Sequence, residues 1–124
     1  MRKRRRREPA REKRICTQVT VDAYSSEEQS IGWYYYLQES LRFPFPAVCI
    51  RKRSISPLRQ KAEVQVLGMA EEGECEREMF VTIPWKASRL AVPLSQLEPG
   101  RKTDPGTKQA VADWHYWVDM GYEL

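Results

Sequence analysis

The densest group of potential metal ligands is the segment Glu71-Glu72-Gly73-Glu74-Cys75-Glu76, which places four acidic residues within six positions. Carboxylates this close repel one another, and a divalent cation would relieve that repulsion. Ca²⁺ suits such a segment, because it takes about six to eight oxygen ligands from carboxylates, backbone carbonyls and water. The glycine would let the backbone bend round the ion. The same composition is typical of a solvated acidic turn that protects a strand edge, and the residues alone leave both interpretations open.

Further acids lie towards the C-terminus and could add ligands. Asp104 precedes Pro105, and this pair is a strong signal for a helix whose first turn is capped by the Asp side chain. Asp113 and Asp119 would lie about 240° apart on that helix, so they are not expected to share one ion. Asp113 is interpreted instead as a structural hydrogen-bond acceptor. The candidate calcium site comprises Glu71, Glu72, Glu74, Glu76 and Asp104.

The second chemically suggestive feature is a basic N-terminus. The first fourteen residues hold nine of the 21 Lys and Arg and two of the 17 acids, which leaves twelve basic and fifteen acidic residues for the remainder. Consecutive cations can neutralise phosphates and release counterions, so this arm could contact nucleic acid or another anionic surface. Because like charges in a block repel, we predict that residues 1–24 form a disordered arm. The candidate phosphate contacts are Arg2, Lys3, Arg4, Arg5, Arg6 and Arg7.

Catalytic and zinc sites find little support in the sequence. The chain has one histidine, His115, and lacks nucleophile-elbow, phosphate-loop and dinucleotide motifs, so we predict that it is not an enzyme. Cys16, Cys49 and Cys75 lack the close Cys/His spacing of a structural zinc site and are expected to stay reduced. No run of residues reaches the length of a membrane span or resembles a signal segment, which makes the cytoplasm the expected location.

The elements that would position these side chains are two helices with short strands between them. Ser25 and Glu28 fit a capping box, and the apolar spacing that follows predicts a helix over 26–41. The second helix would begin after Asp104 and end before Gly121. Between the helices, short runs rich in Val and Ile predict strands at 47–52, 62–69, 78–83 and 89–93.

These elements predict an α+β fold, in which a small SH3-like β-barrel of four to five short strands has flanking N- and C-terminal helices. Residues 25–124 would form one domain behind the arm. The aromatic run 33–36 on the first helix could cover the core or offer a stacking surface for bases. The core interpretation is favoured, because aromatic side chains more often serve in packing.

Several segments, in their order and spacing, resemble the small cyanobacterial calcium-binding protein family of the heterocyst-regulating type. The resemblance covers about Tyr34 to Tyr122 and is carried by Phe43-Pro44-Phe45-Pro46-Ala47, Val64-Gln65-Val66-Leu67-Gly68-Met69-Ala70, Ala91-Val92-Pro93-Leu94-Ser95-Gln96-Leu97-Glu98 and Thr107 to Trp117. It implies a non-catalytic calcium-binding domain whose connection at 71–76 is acid-rich. The chain departs from such relatives at Pro46, where an acid would be expected, and at Lys61-Ala62-Glu63, where they carry a Gly-acid turn.

Composition, acid pattern and resemblance together predict a cytoplasmic, non-catalytic calcium-ion-binding protein. It would act as a buffer or a signal responder, with ligands from an acidic strand connection. The alternative is a nucleic-acid or ribonucleoprotein accessory domain that uses the basic arm. An interaction module with neither ligand is the third possibility.

Overall fold

The computed structural model describes residues 6–124, and within that range it contains three helices and six short strands. The helices are α1 (Pro9–Gln18), α2 (Ser26–Ser40) and α3 (Pro105–Asp119). The strands are β1 (Phe45–Cys49), β2 (Glu63–Val66), β3 (Gly68–Met69), β4 (Phe80–Trp85), β5 (Ser88–Pro93) and β6 (Leu97–Pro99). The predicted α+β class is confirmed.

The strands form two three-stranded antiparallel sheets. In the first sheet β1 lies between β2 and β6, and in the second β4 lies between β3 and β5. Only Leu67 separates β2 from β3, so one strand path runs through both sheets. A buried turn, Leu94–Gln96, connects β5 to β6, and these two strands lie in different sheets and do not pair with each other. Within residues 6–124 no closed barrel forms, and the predicted SH3-like barrel is not confirmed.

Helix α1 lies in the predicted disordered arm, so that prediction was wrong for residues 9–18. Pro9 stands in the first turn, where its missing N–H removes no helical hydrogen bond. Ile15 and Val19 are four residues apart and only 2% and 3% exposed, so they fix this segment against the core. Arg14, whose charge suggested solvation, pairs with Asp113 of α3, 99 residues away. A partner so distant in the chain leaves no local sequence signal.

Both predicted helices are confirmed, together with the signals that predicted their ends. The Ser25 hydroxyl accepts a hydrogen bond from the Glu28 N–H at 3.1 Å and thereby caps α2. Gly121, one residue past the C-cap of α3, adopts a φ of +80°, a conformation that glycine takes without strain. Among residues 6–124 no helix has the length and apolar character needed to cross a bilayer.

The core lies where α2 and α3 pack on the two sheets. Trp33 of α2 contacts Trp114 and Trp117 of α3, with ring centroids 5.1 Å and 5.5 Å apart. Trp33 and Tyr34 are buried, which supports the core interpretation for the aromatic run. Tyr35 is the exception: it is 46% exposed and lies on the outer surface of α2.

Candidate metal centre

The acidic connection joins β3 to β4 and contains a single 3-10 turn, Glu72–Cys75. Cys75 is 1% exposed, and its sulfur accepts a hydrogen bond from the Phe80 N–H at 3.3 Å. Burial raises the pKa of this thiol, so it stays protonated and is a poor metal ligand. With Cys75 held inward, the acidic positions 71, 72, 74 and 76 are all exposed.

Hydrogen bonds within the connection engage only some of the carboxylate oxygens. The Glu71 N–H donates to Glu74 Oε2 at 3.3 Å, and the Glu74 N–H donates to the Glu71 carbonyl at 2.9 Å. The Tyr35 hydroxyl of α2 donates to Glu72 Oε2 at 3.2 Å. In the described part of the chain, no ion pair involves the glutamates at 71, 72, 74 and 76, whereas Glu78 of the same connection pairs with Arg53. Most of these oxygens are therefore available to a cation from solvent.

Glu76 lines a wide surface pocket of about 740 Å³ that holds two further glutamates. Glu27 reaches it from the first turn of α2, and Glu123 reaches it from the C-terminal residues. Arg77 also lines the pocket and offsets part of the negative charge. Glu27 and Glu123 were missing from the predicted site, because an acid in a first helical turn and an acid near a terminus have ordinary structural explanations.

Asp104 lies at the start of α3 and acts as its N-cap. Its Oδ2 accepts from the Thr107 N–H at 2.9 Å, and its Oδ1 accepts from the Thr107 hydroxyl at 2.8 Å. The hydrogen bonds from Thr107 lower the pKa of Asp104. Thr107 is itself buried, and its hydroxyl oxygen accepts from the Arg42 N–H at 2.9 Å. Both carboxylate oxygens are thus engaged in capping, and a ligand role for Asp104 stays a prediction.

Asp113 is fully buried and binds side chains from two other helices. It accepts from Arg14 Nε at 3.0 Å, from Arg14 Nη2 at 2.6 Å and from the Tyr36 hydroxyl at 2.6 Å. Arg11 Nε lies 3.0 Å from Oδ1 without hydrogen-bond alignment, so Arg11 contributes charge alone. Burial and the bond to Asp113 raise the pKa of Tyr36, which keeps its hydroxyl a donor. The predicted role of Asp113 as a structural acceptor is confirmed.

His115 connects α3 to β6. Its Nε2 lies 2.7 Å from the Leu97 carbonyl oxygen, and because a carbonyl only accepts, the imidazole donates its Nε2–H. Burial lowers the pKa of His115, so the neutral form is favoured in the folded protein.

The donor chemistry of the acidic connection fits Ca²⁺, because its exposed ligands are all oxygen atoms. Within residues 6–124, however, no three Asp, Glu, His or Cys side chains are grouped so that they could hold a metal ion. Calcium binding would therefore require the exposed glutamates to move together. Gly73 lies in open space, since a Cβ built there would have no heavy atom within 4 Å, and the wide φ and ψ range of glycine would help the backbone to bend.

The predicted nucleic-acid contacts are only partly described. Arg2, Lys3, Arg4 and Arg5 lie outside the described residues. Arg6 and Arg7 are exposed, and Arg7 Nε lies 3.5 Å from a carboxylate oxygen of Glu12. Arg14, from the same arm, is bound to Asp113 and is unavailable to phosphate. The nucleic-acid alternative stays a prediction.

Comparison with known proteins connects the chain to a calcium-binding family. The family model Calci_bind_CcbP, described as "Calcium binding", matches residues 13–118. The crystal structure of Anabaena CcbP is similar over 100% of both chains, with a TM-score of 0.85 and 37% sequence identity. A calcium binding protein in the calcium-binding form covers 95% of this chain and 96% of its own, with a TM-score of 0.83 and 37% identity. No curated protein shows a significant match to the chain.

Proposed function

We propose that this chain, which belongs to the calcium-binding CcbP family, is a non-catalytic calcium-ion-binding protein whose ligands come from the acidic connection. The observation that carries the proposal is the set of exposed glutamates at 71, 72, 74 and 76, which form no ion pair with any residue of the described range. Their oxygens are the kind of ligand that Ca²⁺ takes.

Binding in this proposal closes the connection around the ion. Glu74 would give up its hydrogen bond to the Glu71 N–H, and Glu72 would give up its bond to Tyr35. Cys75 keeps the connection attached to the core, so only the exposed residues on either side move. Exposed hydrogen bonds of this kind contribute little net stability, and replacing them with metal ligation costs little. Asp104 is not counted in this minimal ligand set, because Thr107 already engages both of its oxygens, and its predicted role as a ligand is tested by Asp104→Asn.

Two nearby acids extend the negative surface beyond the connection. Glu27 and Glu123 share a pocket with Glu76, and together they would raise the local concentration of cations. A protein of this kind would serve as a calcium buffer or as a signal responder in the cytoplasm. The two roles differ in whether binding alters a second surface of the molecule.

Isothermal calorimetry on the full chain tests the proposal, with Mg²⁺ titrated as the competing ion. We expect saturable heat with Ca²⁺, a dissociation constant on the order of 10 μM, and weaker binding of Mg²⁺, which requires a stricter octahedral geometry. The double variant Glu72→Gln with Glu74→Gln should weaken calcium binding at least about tenfold, equal to ~1.4 kcal/mol.

A matched control removes the same charge from acids elsewhere on the surface. Glu63 and Glu98 are both exposed and lie on β2 and β6, so Glu63→Gln with Glu98→Gln should retain wild-type affinity. If both double variants lose calcium affinity equally, the affinity depends on the net charge of the protein and the assigned ligands are wrong. If wild-type protein gives no heat at millimolar Ca²⁺, this chain does not bind calcium.

A further inference from the structure

An open groove of about 670 Å³ lies between the turn that follows α1 and the outer face of α2. Its lining includes Val21, Ile31 and Tyr35, which are 53%, 39% and 46% exposed. These are three of the five large hydrophobic side chains that the described residues leave exposed. Exposed apolar side chains scattered singly are ordinary, but a group of them on one surface indicates a docking site.

The charges around this groove have a single sign. Asp22, Glu28 and Glu39 line it, and none of the lining residues, all from the described part of the chain, is Lys, Arg or His. Glu28 is occupied by the cap of α2, where its side chain lies 3.2 Å from the Ser25 hydroxyl. Asp22 and Glu39 form no ion pair with any described residue. Two carboxylates beside an apolar floor therefore lack a cationic partner among the described residues.

The base of the groove is held by close backbone packing. Val19 and Gly32 both line it, and a Cβ added at Gly32 would lie 2.2 Å from the Val19 carbonyl oxygen. Only glycine lets the turn approach α2 this closely. The apolar floor is thus formed before any partner arrives, which lowers the ordering cost of binding.

We propose that this groove docks a basic amphipathic segment of a partner protein. Aliphatic side chains of that segment would cover Val21, Ile31 and Tyr35, and its Lys or Arg residues would pair with Asp22 and Glu39. Charge complementarity selects this occupant, because the acidic edge would repel nucleic acid and acidic peptides. Helices with one apolar and one charged face commonly bind such grooves.

A contact joins the groove to the acidic connection. The Tyr35 ring is part of the groove wall, and its hydroxyl donates to Glu72 at 3.2 Å. This second step rests on the proposed function, in which Glu72 leaves Tyr35 to bind Ca²⁺. A bound cation would also neutralise acids beside the groove, so it would weaken the attraction for a basic segment. Calcium and the partner segment would therefore each reduce the other's affinity by the same factor.

Fluorescence anisotropy on the full chain tests the groove with a defined probe. The probe is a short labelled peptide of Leu and Lys, with Leu at positions i, i+3, i+4 and i+7, and a second peptide carries Glu in place of Lys. We expect only the Lys peptide to bind, with an affinity that falls as salt rises. Asp22→Asn with Glu39→Gln should weaken binding about threefold or more. Asn tolerates the positive φ of 56° at Asp22, so this variant keeps the turn.

Matched variants separate the groove from the general surface. Ile31→Gln should weaken binding of the Lys peptide. Ile55→Gln should leave it unchanged, because Ile55 is 56% exposed but lies outside the groove. The charge control is Glu63→Gln with Glu98→Gln, which should bind the peptide as wild type does. Equal binding of the Glu peptide, or wild-type affinity in Asp22→Asn with Glu39→Gln, would overturn the proposal. Self-association that Ile31→Gln abolishes would make a second copy the occupant and would overturn it as well.

The calcium step has its own readout. We expect saturating Ca²⁺ to lower the affinity for the Lys peptide about fivefold, and the bound peptide to lower the affinity for Ca²⁺ by the same factor. Tyr35→Phe keeps the ring and removes the hydroxyl, so it should bind the peptide and show a smaller calcium effect. If calorimetry detects calcium binding but Ca²⁺ does not change the affinity for the peptide, the proposed coupling is wrong. The proposal that the groove binds a basic segment is then unaffected. If calorimetry detects no calcium binding, the proposed function fails. The peptide titration still tests whether the groove binds a basic segment.

Discussion

Asp113 and the glutamates of the acidic connection carry the same chemical group in opposite surroundings. Asp113 is fully buried and accepts three hydrogen bonds from Arg14 and Tyr36. The glutamates at 71–76 are exposed, and their few hydrogen bonds come from one another and from Tyr35. Among residues 6–124, the fold has supplied cations to the first carboxylate and none to the glutamates at 71, 72, 74 and 76. A satisfied acid therefore holds helices together, and an unsatisfied acid is free to attract an ion from solvent.

The largest effect should come from removing the charge of Asp113. Asp113→Asn leaves the guanidinium groups of Arg11 and Arg14 beside a neutral amide whose nitrogen can only donate. Breaking a buried pair on one side costs about 3–5 kcal/mol, and we expect the free energy of unfolding to fall by that amount. Urea denaturation followed by circular dichroism measures it.

The matched change in the connection is Glu74→Gln, which keeps an oxygen that can accept from the Glu71 N–H. Its effect on unfolding should be within about 0.5 kcal/mol of zero, as for most exposed substitutions. If Glu74→Gln destabilises the protein as much as Asp113→Asn, the division between satisfied and available acids is mistaken.

Two glycines allow the same comparison for backbone packing. Gly32→Ala would place a Cβ 2.2 Å from the Val19 carbonyl oxygen, so α1 or the turn after it must shift, at a cost of about 1–3 kcal/mol. Gly73 in the connection has nothing within 4 Å of a Cβ, and Gly73→Ala should be neutral or stabilising by up to about 1 kcal/mol. The melting temperatures of the two variants measure this difference in stability. An equal loss of stability in both would mean that the connection is packed as tightly at Gly73 as α2 is against Val19.

The sequence predicted the elements whose signals are local. The caps at Ser25 and Asp104, together with apolar spacing, identified α2 and α3, and short runs rich in Val and Ile identified most of the strands. The three-residue strand β6 escaped detection, because it is defined by pairing with β1 and carries no pattern of its own. Whether short strands close into one barrel or split into two sheets depends on such distant pairings, and local composition does not encode them.

The same limit applies to the arm and to the candidate site. The like charges of the first fourteen residues suggested solvation, while the acid that binds Arg14 lies 99 residues away. Glu27 and Glu123 share a pocket with Glu76 only because α2 and the C-terminus meet beside the connection. The acidic run itself was evident from the sequence, since its residues are adjacent. Its neighbours in space were not.

A smaller effect concerns the pH dependence of stability and the imidazole of His115. Burial lowers the pKa of His115 below its ordinary value of 6.5, so the unfolded chain binds this proton more readily than the folded one. Stability from this group is therefore present above pH 6.5 and is lost as pH falls from 6.5 through the folded pKa. In His115→Gln, whose amide can still donate to Leu97, this part of the loss should disappear. Urea midpoints from pH 7 to about pH 5 measure the difference, and parallel curves for the two proteins would contradict the prediction.

The smallest effect should come from Asp104, an acid that is less exposed than those of the connection and is satisfied like Asp113. Asn caps helices about as well as Asp, so Asp104→Asn should change stability little at pH 7. The hydrogen bonds from Thr107 hold the pKa of Asp104 below its ordinary 3.8, so its charge contributes stability above pH 3.8 that is lost as pH falls through the folded pKa. The variant should lack that loss and should bind calcium as wild type does, because Thr107 already engages both carboxylate oxygens. Weaker calcium binding by Asp104→Asn would place this residue among the ligands and show that a capping carboxylate can also bind the ion.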